Sequence, residues 1–396
     1  MRFSKKIEHM GHSPIRKFHT YAVEAKEKGK RIYHLNIGQP DIETPPVFFE
    51  AVRQFSEPVL EYMPSQGIPS LLKEIRDYYR RIGVDIDEKD IIITDGGSEA
   101  LQMAFTCICD EGDEIIAAEP FYTNYNGFLK SAGGKLRPVT TAVEEGFHFP
   151  SKEAIRAQIG PRTKGIIVTN PGNPTGVVLK EEEIDWLCEL AVEYDLFLIA
   201  DEVYREFVYD GLEMTSFGKR RDIRDRLIII DSISKRFSAC GSRVGALICQ
   251  NEELISHAMK LAQSRLSVPT MDQEGAAALY RIDPGYFDHI KKEYQKRRDV
   301  CYEGLKAIEG VICQKPAGAF YITAKLPVDD AEDFLIWLLR DFEDRGETVM
   351  YAPASGFYET RGLGKQEIRI AYVLKEEDLR RAMEILKKAV EAYRAR

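Results

Sequence analysis

The segment Ser232-Ile233-Ser234-Lys235-Arg236-Phe237-Ser238-Ala239-Cys240-Gly241-Ser242-Arg243 carries a primary amine, several hydroxyls and guanidinium groups between two apolar runs. A lysine at such a strand end is partly out of water. Desolvation and a neighbouring cation lower its pKa, which makes the amine a nucleophile fit for Schiff-base chemistry. The serines and Arg243, eight residues after Lys235, offer donors matched to a phosphate. In isolation the same residues describe a solvated basic turn. Three further segments follow apolar runs, where open α/β sheets bind their ligands. Asp95-Gly96-Gly97-Ser98-Glu99-Ala100 reads as a glycine turn opening a helix, whose N–H groups suit a phosphate. Asn170-Pro171-Gly172-Asn173-Pro174-Thr175-Gly176 is a rigid loop presenting an asparagine amide. Ala200-Asp201-Glu202-Val203-Tyr204 ends its run on a carboxylate, which is costly there unless it meets a cation, a strong donor or a helix start.

The elements that hold these segments can be read from the apolar pattern. Ile91 to Ile93, Ile115 to Ala118, Ile166 to Val168, Leu196 to Ala200, Leu227 to Ile230 and Val244 to Cys249 are short and aliphatic, without polar alternation. That suits strands covered on both faces of a mostly parallel sheet. Between them run amphipathic stretches. In Glu181 to Asp195, the apolar residues Ile184, Leu187, Ala191 and Val192 share one face, and Glu181, Glu182 and Glu183 complement the dipole of the first turn. The alternation predicts an α/β layered unit. Beyond it lie a helical stretch near the N-terminus, then helix (Asp288 to Ile308), strands (Phe320 to Ala324, Ile368 to Val373) and a last helix from Glu376. These predict a smaller α+β domain contributed by both termini.

At 396 residues the chain buries about three quarters of its unfolded surface, ample for a large core. With 44% hydrophobic and 30% charged residues it is neither disordered nor a membrane bundle. No apolar run is long enough to span a bilayer and no signal peptide is visible, so a cytoplasmic protein is expected. A net charge of −9 with interspersed signs argues against a nucleic-acid partner. The seven cysteines form no CxxC pair and the seven histidines no HxH or HExxH motif, so neither disulfides nor a metal site is expected.

Asn173-Pro174-Thr175-Gly176, then Asp201-Glu202-Val203-Tyr204, then Ser232-Ile233-Ser234-Lys235 with Arg243 resemble, in that order, the class I aminotransferases. These are pyridoxal-5′-phosphate enzymes of the aspartate aminotransferase family, with fold type I. The resemblance extends from Leu35-Asn36-Ile37-Gly38-Gln39-Pro40-Asp41 to Ile368-Arg369-Ile370-Ala371-Tyr372. It implies a three-layer α/β/α large domain with a mostly parallel seven-stranded sheet over residues 46–285, an N-terminal arm and part of a small domain over 1–45, and the rest of that domain over 286–396. It also implies the roles. Lys235 would be the Schiff-base lysine and proton shuttle, and Asp201 the partner of the pyridine nitrogen, which keeps the ring an electron sink. Asn173 and Tyr204 would bond the ring's 3′-oxygen, with Tyr122 stacked on the ring. Gly97, Ser98, Ser232, Ser234 and Arg243 would form the phosphate cup, joined by Tyr62 from the second subunit of a homodimer. Arg369 would pair with the substrate α-carboxylate, a bidentate geometry that a lysine cannot reproduce, with the backbone of Gly38 alongside. The Asn173–Pro174 and Glu119–Pro120 bonds would be cis.

The implied reaction is ping-pong transamination between an L-amino acid, either aspartate or a broader or aromatic range, and a 2-oxo acid such as 2-oxoglutarate. Where one subgroup of the family has an arginine for a second carboxylate, alignment on Ser267-Val268-Pro269 gives Gln263, with Arg265 two residues away. Ser13-Pro14-Ile15-Arg16 resembles the stretch lining the side-chain pocket in a second subgroup, with apolar Ile15 where a small polar residue is usual. The alternative is a lyase on the same fold, for example a C–S lyase, because the cofactor carries the chemistry. A regulator bearing such a domain needs a DNA-binding module, and only some 35 residues precede Asn36. A nucleotide-binding enzyme lacks its GxxxxGK[ST] or GxGxxG loop.

Overall fold

The computed structural model describes residues 2–8, 10–11 and 13–396. After a first short strand, β1 (Arg31–His34), seven strands form the central sheet: β2 (Ile91–Asp95), β3 (Glu114–Glu119), β4 (Lys135–Thr140), β5 (Thr163–Thr169), β6 (Phe197–Asp201), β7 (Leu227–Ser232) and β8 (Val244–Ile248). Their order is β2-β8-β7-β6-β5-β3-β4, parallel except for β8, which runs antiparallel to both neighbours. The absence of polar alternation has a direct cause. Ile91, Ile93, Ile166, Val168, Leu198, Ala200 and Ile229 pack into one apolar layer. Ile92, Ile167, Ile199, Ile228 and Ile230, the residues between them, pack into the other. Helices Pro69–Arg81, Glu181–Glu193 and Thr270–Tyr280 cover the first face, and Gly96–Ile108 and Glu252–Arg265 the second. This is the expected three-layer architecture.

All six apolar runs lie in strands of this sheet, Leu196 and Cys249 falling just outside their ends. The remaining strand, β4, shows no such run. It is an edge strand reading Lys135-Leu136-Arg137-Pro138-Val139-Thr140, and an edge tolerates both its proline and its polar residues. One residue of the Glu181 helix departs from expectation. Val192 is exposed, whereas Ile184, Leu187 and Ala191 are buried together with Cys188 and Leu190, so the apolar face is centred away from it. Glu183 is buried too, and accepts hydrogen bonds from the Phe149 and Lys180 N–H groups at 2.8 Å.

The smaller α+β part uses both ends of the chain. Strands β9 (Ile312–Cys313), β10 (Tyr321–Lys325), β12 (Ala352–Pro353) and β13 (Glu367–Ala371) form a four-stranded sheet, while β1 pairs in parallel with β11 (Glu347–Met350). Helices His19–Glu27, Gly285–Lys306, Ala331–Arg340 and Glu376–Arg394 pack on these strands around Phe334, Leu338, Ile370 and Leu386. The Glu119–Pro120 and Asn173–Pro174 peptides are cis, and so is Asn170–Pro171, which the sequence did not single out.

Candidate functional site

Strands β2, β5, β6 and β7 end at one edge of the central sheet, and there they meet the smaller part of the molecule. A cavity of about 1000 Å³ opens between them. It is lined by Gly38, Gly97, Ser98, Tyr122, Asn173, Asp201, Tyr204, Ser232, Ser234, Lys235, Arg243 and Arg369. Tyr62, to which the resemblance also assigns a place at the cofactor, lies elsewhere, on the surface, with 79% of its area exposed.

Lys235 sits on a one-turn helix, Ile233–Arg236, that follows β7 directly. The Ser232 hydroxyl caps this turn by accepting from the Ser234 N–H at 3.1 Å. The Lys235 ammonium donates to the Gly38 carbonyl at 2.9 Å and lies 3.9 Å from Cys240 Sγ. Asp201, the last residue of β6, is buried, and its carboxylate accepts from the Tyr125 hydroxyl at 2.6 Å and from the Val203 N–H at 3.4 Å. Burial pushes the carboxyl up to about 6, against the pull of the Tyr125 bond and of nearby Lys235. Tyr204 is buried beside Tyr321, hydroxyl to hydroxyl at 3.0 Å, and burial holds its phenol well above the ordinary range.

The glycine turn lies against Arg243. Gly96 adopts φ +66°, and a Cβ there would come within 2.3 Å of Arg243 Nη2. Arg243 itself is left-handed at φ +57°, a costly conformation for a long side chain, and its guanidinium donates to the Cys240 and Asp95 carbonyls. The N–H groups that open helix Gly96–Ile108, the Ser98, Ser232 and Ser234 hydroxyls and this guanidinium line one end of the cavity. Such a set suits a phosphate dianion.

Arg369 lies on β13, buried between the rings of Tyr321 and Phe357 at 4.6 and 5.0 Å. It donates from Nη1 to Asn173 Oδ1 at 3.1 Å and from Nη2 to the Asn36 carbonyl at 2.6 Å, while its buried Nε has no partner. A cation enclosed in this way, with donors to spare, suits a carboxylate. Gly38 packs so tightly that a Cβ would fall 1.8 Å from Tyr321 Oη.

Arg265 does not reach the cavity. It pairs with Glu99 at 3.1 Å and donates to the Ile93 carbonyl at 2.8 Å. Arg16 does line it, on a turn held by Phe18 in the core and by Pro14 packed on Gly356. The sequence reading quoted Arg16 without giving it a task, and it missed Tyr125 and Tyr321. Tyr125 follows Tyr122 by one helical turn, but nothing in the chain's order links it to Asp201. Among the described residues no cluster of three or more metal-ligating side chains occurs, and no helix is long and apolar enough to cross a membrane.

Residues 30–386 match the family described as aminotransferase class I and II. The aspartate/prephenate aminotransferase of Thermus thermophilus is 30% identical over 389 residues, covering 96% of this chain and 97% of its own length. The aspartate aminotransferase of Bacillus subtilis is 31% identical, covering 99% of this chain and all of its own. Among solved structures, an alanine aminotransferase from Pyrococcus furiosus superposes with a TM-score of 0.90 at 32% identity, covering 99% of this chain and all of the other. The Thermus thermophilus aspartate aminotransferase with maleate gives 0.89 at 30% identity, covering 98% and 100%.

Proposed function

From the premise that this chain belongs to the class I and II aminotransferases, and is an aminotransferase, we propose that it moves an amino group between an L-amino acid and a 2-oxo acid such as 2-oxoglutarate, in a ping-pong cycle with pyridoxal 5′-phosphate. The observation that carries the reading is one cavity shared by a nucleophilic amine (Lys235), a buried carboxylate with no more than hydroxyl and N–H donors (Asp201) and a buried guanidinium with a free nitrogen (Arg369).

The donor set fits the cofactor, which is typical of the family. Asp201 makes no ion pair among the described residues, and a protonated ring nitrogen would supply one. The hydroxyl, N–H and Arg243 end matches a phosphate in charge. When bound, pyridoxal phosphate supplies a carbonyl carbon for an amine to condense with and a protonated ring that withdraws electrons from the bond being broken. The chain's own residues do the rest. Asp201 holds the proton on the ring nitrogen. Lys235 would offer its amine to that carbonyl carbon and, as a free amine, would carry the proton that leaves the substrate Cα. Asn173 and Tyr204 would orient the ring through its 3′-oxygen, and Tyr122 would cover one face. Gly97, Ser98, Ser232, Ser234 and Arg243 bind the phosphate, with Tyr62 reaching in from the second subunit of a cytoplasmic homodimer. Arg369 binds the α-carboxylate beside the Gly38 backbone. The large domain is assigned to 46–285 and the small one to 1–45 with 286–396.

With Lys235, Arg243 and Arg369 engaged, Arg16 is the remaining arginine of the cavity wall, where Asp201 is the one carboxylate. That charge balance favours a substrate with a second carboxylate, such as aspartate or glutamate. The test is a panel of amino donors with 2-oxoglutarate, following glutamate and the keto acid. Dicarboxylic donors should be used best. Ammonia and pyruvate released from a sulfur amino acid, without glutamate, would establish the lyase instead.

A further inference from the structure

Four residues assigned to the cofactor have immediate neighbours that turn the opposite way. Asp201 is followed by Glu202, Tyr204 by Arg205 and Lys235 by Arg236, and Ser232 is preceded by Asp231. Glu202, Arg205, Asp231 and Arg236 are buried, and none lines the cavity. They meet each other instead. Arg205 Nη2 lies 2.5 Å from Glu202 and donates to the Tyr79 hydroxyl at 2.8 Å. That hydroxyl donates to Asp231 Oδ2 at 3.1 Å, and Asp231 is ion-paired with Arg236. Both guanidinium groups lie over the Tyr78 ring, at 5.7 and 4.8 Å. Glu202 also accepts from Ser216 at 2.8 Å and from the Phe217 N–H at 2.9 Å, and Asp231 accepts from the Ser232 N–H at 2.7 Å.

Two cations and two anions thus form a neutral chain beneath the site, joined through one tyrosine of helix Pro69–Arg81. It ties the end of β6, which carries Asp201, to the turn that carries Lys235. Stability gives little reason for it. Apolar side chains of similar volume often replace a buried ion pair at no cost, because desolvation offsets the attraction. Direction is what the charges add, since each planar guanidinium meets its carboxylate through Nη2 and so fixes where that partner lies.

We propose that Glu202, Arg205, Asp231 and Arg236 are positioning residues, which set Lys235 against Asp201 across the cofactor. The inference rests on the transaminase reading for its consequence, not for its geometry. Arg236→Lys keeps the charge and loses the planar guanidinium that meets Asp231. The double variant Asp231→Asn with Arg236→Met removes the pair together, so that no unpaired charge is left to unfold the protein. Both should fold, with unfolding temperatures close to the parent protein. Reconstituted with pyridoxal 5′-phosphate, both should shift the pH midpoint of the visible band by more than about half a pH unit. They should lower kcat about tenfold while KM for the amino donor stays near its original value. In cofactor-free protein the rate at which reductive methylation modifies Lys235, read by peptide mass, should change at least about threefold, because amine reactivity follows its surroundings. An unchanged methylation rate together with an unchanged midpoint and kcat overturns the proposal, and so does a loss confined to thermal stability. The methylation rate decides the matter even for a protein that shows no transamination, so failure of the activity reading is seen separately.

Discussion

Asp201 pays most for its place. Its carboxyl is pushed up to about 6 by burial, about two pH units above its ordinary value and worth roughly 3 kcal/mol. The folded protein therefore holds this proton to higher pH than the unfolded chain, and stability from this group falls as pH rises from about 4 to about 6. Cofactor-free Asp201→Asn should be more stable than the parent protein above pH 6, by up to about 3 kcal/mol, with the difference fading below about pH 4. Calorimetry across that range checks it, and a difference independent of pH would place the cost elsewhere. Arg16→Met should raise KM for aspartate and glutamate about tenfold to a hundredfold, the worth of a hydrogen bond to a charged group, and leave alanine unaffected. Equal losses for all donors would show that Arg16 supports the turn rather than the substrate. Asp201 was legible in the sequence because it closes an apolar run with a charge that needs a reason to be there, and Lys235 because it stands between two such runs among hydroxyls and Arg243. Tyr125 was not, since its relevance depends on a strand far away in sequence, and Arg16 was marked only through the resemblance of Ser13 to Arg16 to a pocket-lining stretch.

Among the elements, β8 bears most directly on the end of the cavity proposed to hold the phosphate. A Cβ on Gly245 would come within 2.5 Å of the Gly96 carbonyl carbon and 2.7 Å of the Gly97 nitrogen. These are backbone atoms that cannot turn aside. Gly245→Ala should displace the glycine turn, lower stability by about 1–3 kcal/mol and weaken cofactor binding. Equilibrium dialysis and thermal melts measure both, and an unchanged affinity would mean that the turn yields freely. That β8 is a strand was plain from its run Val244 to Cys249. Its direction was not, because a strand covered on both faces reads alike in either orientation. The same logic hid β4, whose exposed edge needs no apolar run at all.

At the scale of the whole molecule the open question is what covers the apolar surface. Ile37, Val59, Leu60 and Tyr62 are exposed large side chains, and the proposed homodimer would cover Tyr62. The proposed dimer, with Tyr62 acting across it, makes a prediction about hybrids. An Arg243→Ala chain and a Tyr62→Phe chain, unfolded and reassembled together, should place both lesions in one site and none in the other. Each hybrid then regains about one intact site, in proportions that follow two-fold pairing. Activity no higher than the average of the two damaged parents would assign Tyr62 to its own subunit. The layered fold was legible because each layer leaves a periodicity in the chain. The choice of partner leaves none.

The pairing of β1 with β11 joins Arg31 to Glu347. During synthesis the first of these leaves the ribosome long before the second exists, by roughly a quarter of a minute to a minute at about 5–20 residues per second. The central sheet, complete by residue 248, can close in that interval. The N-terminal segment cannot, and it carries Arg16, Asn36 and Gly38 while it waits. A nascent chain of this protein can therefore have the floor of its cavity assembled while one wall is unclaimed, and on the roles proposed above its substrate site is complete only once Arg369 has emerged.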